Sequence, residues 1–288
     1  MVEAAVDEGY TVIVMPGYAF GETITQVADE YPDITFIALD VGEGDLGNYT
    51  LPGNVYCAVY QEELCGYMAG YAAVKLGYTH LGFLGGMAVP AVVRYGYGFV
   101  QGADAAAAET GAAVTVEYAY GNQFYGDADI TAYMDNWYQT LGVEVVFACG
   151  GGIYSSAAEA AAKVDGKVIG VDVDQAGIID GGYGEGMTVT SAMKGLAPTV
   201  EHMLTEVAAG NFSNYGGKIE TLGLVSGDDP EANYVQIPME STQWSDSFTQ
   251  DDYKALVKDM FDGKITVSND ISAMPSTSIT VNEYGNIK

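Results

Sequence analysis

Short apolar segments alternate with helix-length segments along most of this chain, and that alternation limits the fold more than any single residue does. The runs TVIVMPG (11–17), ITFIALD (34–40), VYCAVY (55–60), HLGFLGG (80–86), VTVEYAY (114–120), VEVVFACGGG (143–152), KVIGVDVD (167–174) and TVTSAM (188–193) are rich in Val and Ile. Their length and content predict strands, and the intervening patterns predict helices over 21–30, 61–77, 90–109, 127–141, 153–163 and about 196–209. Strands that are apolar throughout, each followed by a helix, imply α/β architecture with parallel sheets covered on both faces. The first residues read as the last turns of an amphipathic helix closed by Gly9. Beyond residue 211 turns become frequent, a helix is predicted near 249–261, and the last residues read as a strand-like tail.

Charge narrows the partners. The chain of 288 residues carries 39 acidic and 10 basic side chains, a net charge of -29, and Arg94 is its one arginine. Phosphate binding needs clustered Lys and Arg to displace counterions, so nucleic acid is excluded as a partner. An anionic membrane surface repels such a chain for the same reason. Cys57, Cys65 and Cys149 lack metal-ligand spacing, and with only His80 and His202 beside them no metal or cofactor site is expected. No G-x-S-x-G is present, and neither histidine adjoins a nucleophile, so no catalytic set is expected.

Parallel sheets bind ligands outside the carboxyl ends of their strands, and the notable residues gather at those ends. CGGGIYSSAAEAA (149–161) is a glycine-rich turn between a strand and a helix, with Asp172 following Gly150 by 22 positions. That spacing imitates a dinucleotide fingerprint, but Ser155 stands where the last glycine belongs. Asp172 and Asp174 in GVDVDQ point the same way from a strand end. Asp172 is expected to accept hydrogen bonds from ligand hydroxyls, while for Asp174 capping of the next turn serves equally well. Lys194 follows a Val/Thr strand and is positioned either to pair with Asp172 or to face solvent. Tyr18, Phe20, Tyr120, Phe124 and Tyr125 sit near strand ends, where flat rings can sandwich a heterocycle or simply pack. Arg94, just after Pro90 at a helix start, either ties two loops together or touches ligand.

Taken in order, the segments VIVMPGYAF, YPDITFIALD, EELCGYMAGYAA, LGFLGGMAVPAVVRYGYGFVQGA, VFACGGGIYSSAAEAA, VIGVDVDQ and TVTSAMKG resemble the basic membrane protein (BMP), PnrA-like family of ABC-transporter substrate-binding lipoproteins. The resemblance implies a type I periplasmic-binding-protein fold of two Rossmann-like lobes that close on ligand by hinge motion. The expected division is residues 1–78 plus about 192–212 in lobe 1, and 79–191 plus about 213–288 in lobe 2. It further implies a non-enzymatic receptor for a purine nucleoside, an ABC permease as partner, and a lipid-anchored place on the outer face of the bacterial cell membrane. Riboflavin or a sugar-like signal is the alternative ligand, and a nucleotide-dependent oxidoreductase the rival function. By this resemblance Asp172 and Lys194 hold the ribose, and Gly150, Gly151 and Gly152 add backbone contacts. Phe124 or Tyr125 stacks on the base, and Tyr18 and Asp40 face the cleft. Compared with the family, roughly sixty N-terminal residues are expected to be missing, about two βα units. They would include the turn that supplies the other stacking aromatic. An incomplete first lobe is expected to oligomerise, swap segments or bind ligand poorly.

Overall fold

The computed structural model describes residues 1–287, and they form two compact units, each with its own sheet. Unit 1 comprises Met1–Tyr60 and Gly195–Gly223, and unit 2 comprises Gln61–Lys194 and the chain from Leu224 onward. In unit 1, the first segment supplies α1 (Val2–Asp7), β1 (Val12–Pro16), α2 (Phe20–Val27), β2 (Thr35–Leu39), α3 (Glu43–Leu46) and β3 (Val55–Tyr60). Unit 2 opens with α4 (Glu62–Lys75), β4 (His80–Gly85), α5 (Pro90–Thr110), β5 (Thr115–Tyr120) and α6 (Ala128–Asp135), which runs into a π-helical turn (Asn136–Leu141). It continues through β6 (Val145–Cys149), α7 (Tyr154–Ala161), β7 (Lys167–Asp172), α8 (Ala176–Tyr183) and β8 (Thr188–Lys194). The chain then returns to unit 1 for α9 (Leu196–Ala208) and β9 (Lys218–Leu222), and ends in unit 2 with β10 (Val235–Gln236), α10 (Gln250–Phe261) and β11 (Thr280–Asn286).

Unit 1 is a four-stranded parallel sheet in the order β1-β2-β3-β9. Side-chain alternation along its strands feeds two cores. Phe36, Ala38, Val55 and Cys57 pack with Ile24 and Ala28 on one face, and Ile37, Leu39, Tyr56 and Ala58 pack with Met203 of α9 on the other. Covering both faces is why these strands read as unbroken apolar runs.

Unit 2 is a seven-stranded sheet in the order β10-β8-β7-β6-β4-β5-β11, parallel except for β10. Its helices begin and end where local chemistry dictates. Pro90 opens α5, and Gly111 closes it in the left-handed conformation at φ 72°. Asp127 caps α6 by accepting from the Asp129 and Ile130 amides. Thr249 and Asp252 form a reciprocal capping box at α10.

The unit boundary departs from the sequence expectation in two places. The sequence expectation places the helix over 61–77 in the first lobe, but α4 belongs to unit 2. Its glycines explain this: a Cβ at Gly66 would overlap the Tyr95 carbonyl, and one at Gly70 the Phe99 carbonyl. Reciprocally, a Cβ at Gly98 or Gly102 of α5 would strike the Glu63 or Tyr67 carbonyl. The two helices therefore meet backbone to backbone, which only glycine permits. The second departure is at residues 213–222, expected in the second lobe. There β9 pairs with β3 in unit 1, because its backbone completes that sheet edge. The short α3 and α8 and the strands β9 and β10 were not anticipated either.

Replacing Gly70 with Ala forces the helix backbones apart, and the expected loss is about 2–3 kcal/mol of stability. Gly177→Ala in α8, where a Cβ meets nothing within 4 Å, is expected to be neutral or stabilising by about 0.5–1 kcal/mol. Urea unfolding of the two variants checks both values.

Candidate ligand-binding site

Because β8, β7, β6 and β4 are parallel neighbours, their carboxyl ends form one edge of unit 2. At the end of β7 the chain makes a three-residue γ-turn centred on Asp172: the Val173 amide donates to the Val171 carbonyl at 2.7 Å, and Asp172 lies at φ 67°. Such a turn is rare and strained, and Asp tolerates positive φ better than most residues. The turn is locked from behind. Gln175 Oε1 accepts from the Val171 amide at 2.9 Å, and the Gln175 amide donates to Ser191 Oγ at 3.1 Å. Gly170 leaves room for this, since a Cβ there would lie 2.8 Å from Gln175 Cβ.

The turn carries Asp172 toward Lys194 at the end of β8. Lys194 Nζ lies 3.3 Å from Asp172 Oδ1, with the lysine side chain 5% exposed and the aspartate 33%. Asp174 does something different: its Oδ1 accepts from the Ala176 amide at 3.0 Å, so it caps the next turn.

Glycines at two strand ends make room for an aromatic ring. A Cβ on Gly86 would sit 2.5 Å from Phe124 Cδ1, and one on Gly150 would sit 2.9 Å from the same atom. The Phe124 ring therefore rests directly on bare backbone beyond β4 and β6. Gly151, at φ 51°, allows the chain to turn beneath it. The Gly152 amide donates to the Phe124 carbonyl at 2.8 Å, and Tyr125 pairs with Gly152 while its side chain stays 63% exposed. This geometry counts against the dinucleotide reading of the glycine run. The Gly152, Ile153, Ser155 and Ser156 amides are all engaged by protein carbonyls, so they do not form an open phosphate cradle.

Tyr95, which falls within the segment LGFLGGMAVPAVVRYGYGFVQGA, lies beneath the pair. Its hydroxyl is 3.3 Å from Asp172 Oδ1, and Lys194 Nζ is 5.8 Å from its ring centroid. Burial, then the nearby Cys65 and Asp172, holds this phenol well above its ordinary range, so it stays protonated and able to donate. Burial likewise raises the Cys65 and Cys149 thiols, which fits Cys149 as a small buried side chain. Arg94 ties two helices: its Nε donates to Glu62 Oε2 at 2.7 Å.

Tyr18 and Asp40 lie in unit 1, at the carboxyl ends of the neighbouring strands β1 and β2. Gly17, at φ 126°, donates its amide to Leu39 at 2.8 Å, and Asp40 donates to Ala58 at 2.8 Å. Asp40 itself adopts φ 62°. The structure therefore brings Asp172 together with Lys194, and Phe124 together with Gly150, Gly151 and Gly152. Gln175, Gly86 and Tyr95 complete these groupings, and their only signal in the sequence was proximity to strand ends and helix starts.

The edge of unit 2 thus gathers an ion pair, a buried phenol and an aromatic ring seated on glycine backbone. The profile of the ABC transporter substrate-binding protein PnrA-like (Bmp) family matches residues 1–260. Basic membrane protein B of Borreliella afzelii is 29% identical over 222 residues, which cover 76% of this chain and 62% of that protein. The ABC transporter nucleoside-binding protein BmpA of Lactococcus lactis is 26% identical over 277 residues, covering 92% of this chain and 73% of that one. Among solved structures, an ABC transporter solute-binding protein from Conexibacter woesei superposes with a TM-score of 0.67 at 22% identity, covering 93% of this chain and 82% of that chain.

The fold is thus the type I periplasmic-binding-protein fold. The chain belongs to the PnrA-like family of ABC transporter substrate-binding proteins. It spans 62% of the length of the first curated relatives it matches. Among the described residues, no helix is long and apolar enough to cross a membrane.

One buried group at the start of α4 has a measurable consequence. Glu63 is 3% exposed, its Oε2 lacks a hydrogen-bond partner among the described residues, and burial pushes its carboxyl up to about 7. A carboxyl raised on folding contributes stability that is present at low pH and lost as pH rises. Here the window runs from the ordinary glutamate value of 4.5 to about 7. Relative to Glu63→Gln, the parent protein is expected to lose about 2–3 kcal/mol across that window, measured by urea unfolding at pH 4.5 and pH 8.

Proposed function

We propose that this protein is the solute-binding component of an ABC importer and that the carboxyl edge of unit 2 binds a purine nucleoside. The observation that carries this reading is the Asp172–Lys194 pair, 3.3 Å apart on adjacent strand ends, on the same edge as the Phe124 ring. A carboxylate and an ammonium together offer acceptors and donors to the vicinal hydroxyls of a ribose. A ring seated on glycine backbone suits stacking of a flat base. The Lactococcus relative's name, a nucleoside-binding protein, supports the same ligand class. Of the two aromatics, Phe124 is the better candidate, since Tyr125 is mostly exposed.

The same reading assigns an ABC permease as partner and a lipid-anchored place on the outer face of the cell membrane. In unit 1, β1 ends the sheet as an edge strand. Such an edge favours strand addition, which supports self-association or segment exchange there. Light scattering on the protein over a tenfold concentration range tests it; a monomer throughout counts against it.

Isothermal titration with inosine, guanosine and adenosine tests the ligand. Asp172→Ala is expected to weaken binding by about 100-fold or more, as two charge-assisted hydrogen bonds are lost. Phe124→Ala is expected to weaken it by about tenfold through lost stacking. A 2′-deoxynucleoside should bind the parent protein more weakly than its ribonucleoside; equal affinity for both would remove the ribose assignment.

A further inference from the structure

The Asp172–Lys194 pair rests on a third side chain to which the sequence motifs assign no role. Tyr95 is 2% exposed, and its position is set from two directions. Its carbonyl is held against the bare Cα of Gly66, and its ring meets Phe147 of β6 edge-on at 5.9 Å and 84°. From this seat the hydroxyl reaches Asp172 Oδ1 at 3.3 Å. Lys194 Nζ approaches that same oxygen at 3.3 Å and stands 5.8 Å from the Tyr95 ring centroid, within cation–π range.

We propose that Tyr95 is a positioning residue of the binding site, its hydroxyl orienting the Asp172 carboxylate and its ring seating the Lys194 ammonium, so that a ribose meets both groups already in place. This rests on the nucleoside reading for the ligand but names a residue that does not itself touch it. Two features of the geometry favour positioning over mere packing. First, Asp172 sits at φ 67° in a γ-turn, a conformation that surrounding contacts must hold in place. Second, both contacts fall on Oδ1, and a carboxylate has a second oxygen with which to accept from a ligand hydroxyl. A preset pair spares the ligand the cost of ordering two side chains on binding.

Tyr95→Phe removes the hydroxyl and keeps the ring, so packing and the cation–π contact persist. The expected result is about a tenfold loss of ribonucleoside affinity, the scale of one hydrogen bond to a charged group, measured by isothermal titration. The deciding measurement is a double-mutant cycle with Asp172→Asn. If Tyr95 acts through Asp172, Tyr95→Phe costs little further affinity in the Asp172→Asn background. An equal loss in both backgrounds overturns the proposal in favour of a general structural role.

If the parent protein binds no nucleoside at all, the ligand reading fails, and the positioning claim is decided without ligand. The Asp172 13Cγ resonance should then move between the parent protein and Tyr95→Phe, and an unchanged resonance overturns the claim. Should Tyr95→Phe not fold, 3-fluorotyrosine at position 95 keeps the ring shape and alters the donor strength. It is expected to shift the same resonance, with no shift again overturning the proposal.

Discussion

Four backbone carbonyls set against four glycines hold α4 and α5 together, and much of unit 2 is organised around that contact. Gly66 and Gly70 receive the carbonyls of Tyr95 and Phe99, and Gly98 and Gly102 receive those of Glu63 and Tyr67. Any side chain at these positions would push the helices apart by more than a tightly packed interior absorbs. The contact draws α4 into unit 2, and it places Tyr95 where its ring and hydroxyl meet the ends of β7 and β8. It also buries the first turn of α4, which explains why Glu62 is matched by Arg94 at 2.7 Å and why Glu63 is held toward its neutral form.

At the carboxyl edge of unit 2, charge and backbone geometry act together. Asp172 leaves the sheet through a γ-turn that Gln175 and Ser191 secure, and it arrives beside the nearly buried ammonium of Lys194. A buried ammonium needs a partner to offset its lost hydration, and the carboxylate supplies it while staying partly open to solvent. In a chain of net charge -29, a cation held in this way is a local exception to the field around it. Phe124 reflects a different constraint, since it lies flat only because Gly86 and Gly150 carry no side chains. In the glycine-rich turn, which resembles a phosphate-binding turn on paper, the Gly152, Ile153, Ser155 and Ser156 amides donate to the protein's own carbonyls.

Strand and helix positions were largely legible in the amino-acid order. β3 lies where its apolar run predicted, and α5 begins at Pro90 and ends just before Gly111, as its breakers imply. The single helix read over 127–141 is instead α6 followed by a π-helical turn, a change in hydrogen bonding that apolar spacing does not reveal. Asp172 and Lys194 were legible as polar residues ending apolar strands, and their pairing followed from strands that turned out to be neighbours. Tyr95 was not legible. It is one of 22 tyrosines, inside a helix whose spacing marks it only as buried. The unit boundary was misplaced because helix periodicity says that a face is covered, not which sheet or helix covers it.

The amino-acid order by itself therefore determined the α/β class, most element positions, and the membership that its ordered motifs suggested and the family match bears out. These follow from local periodicity, charge and turn chemistry, each of which acts over a few residues. Tertiary structure decided what depends on contacts far apart in sequence: α4 lying with α5, β9 with β3, and Tyr95 beneath a carboxylate 77 positions away. The physical reason is that such contacts depend on whether two backbones can approach. That is settled by the shape of both partners at once and by neither segment alone.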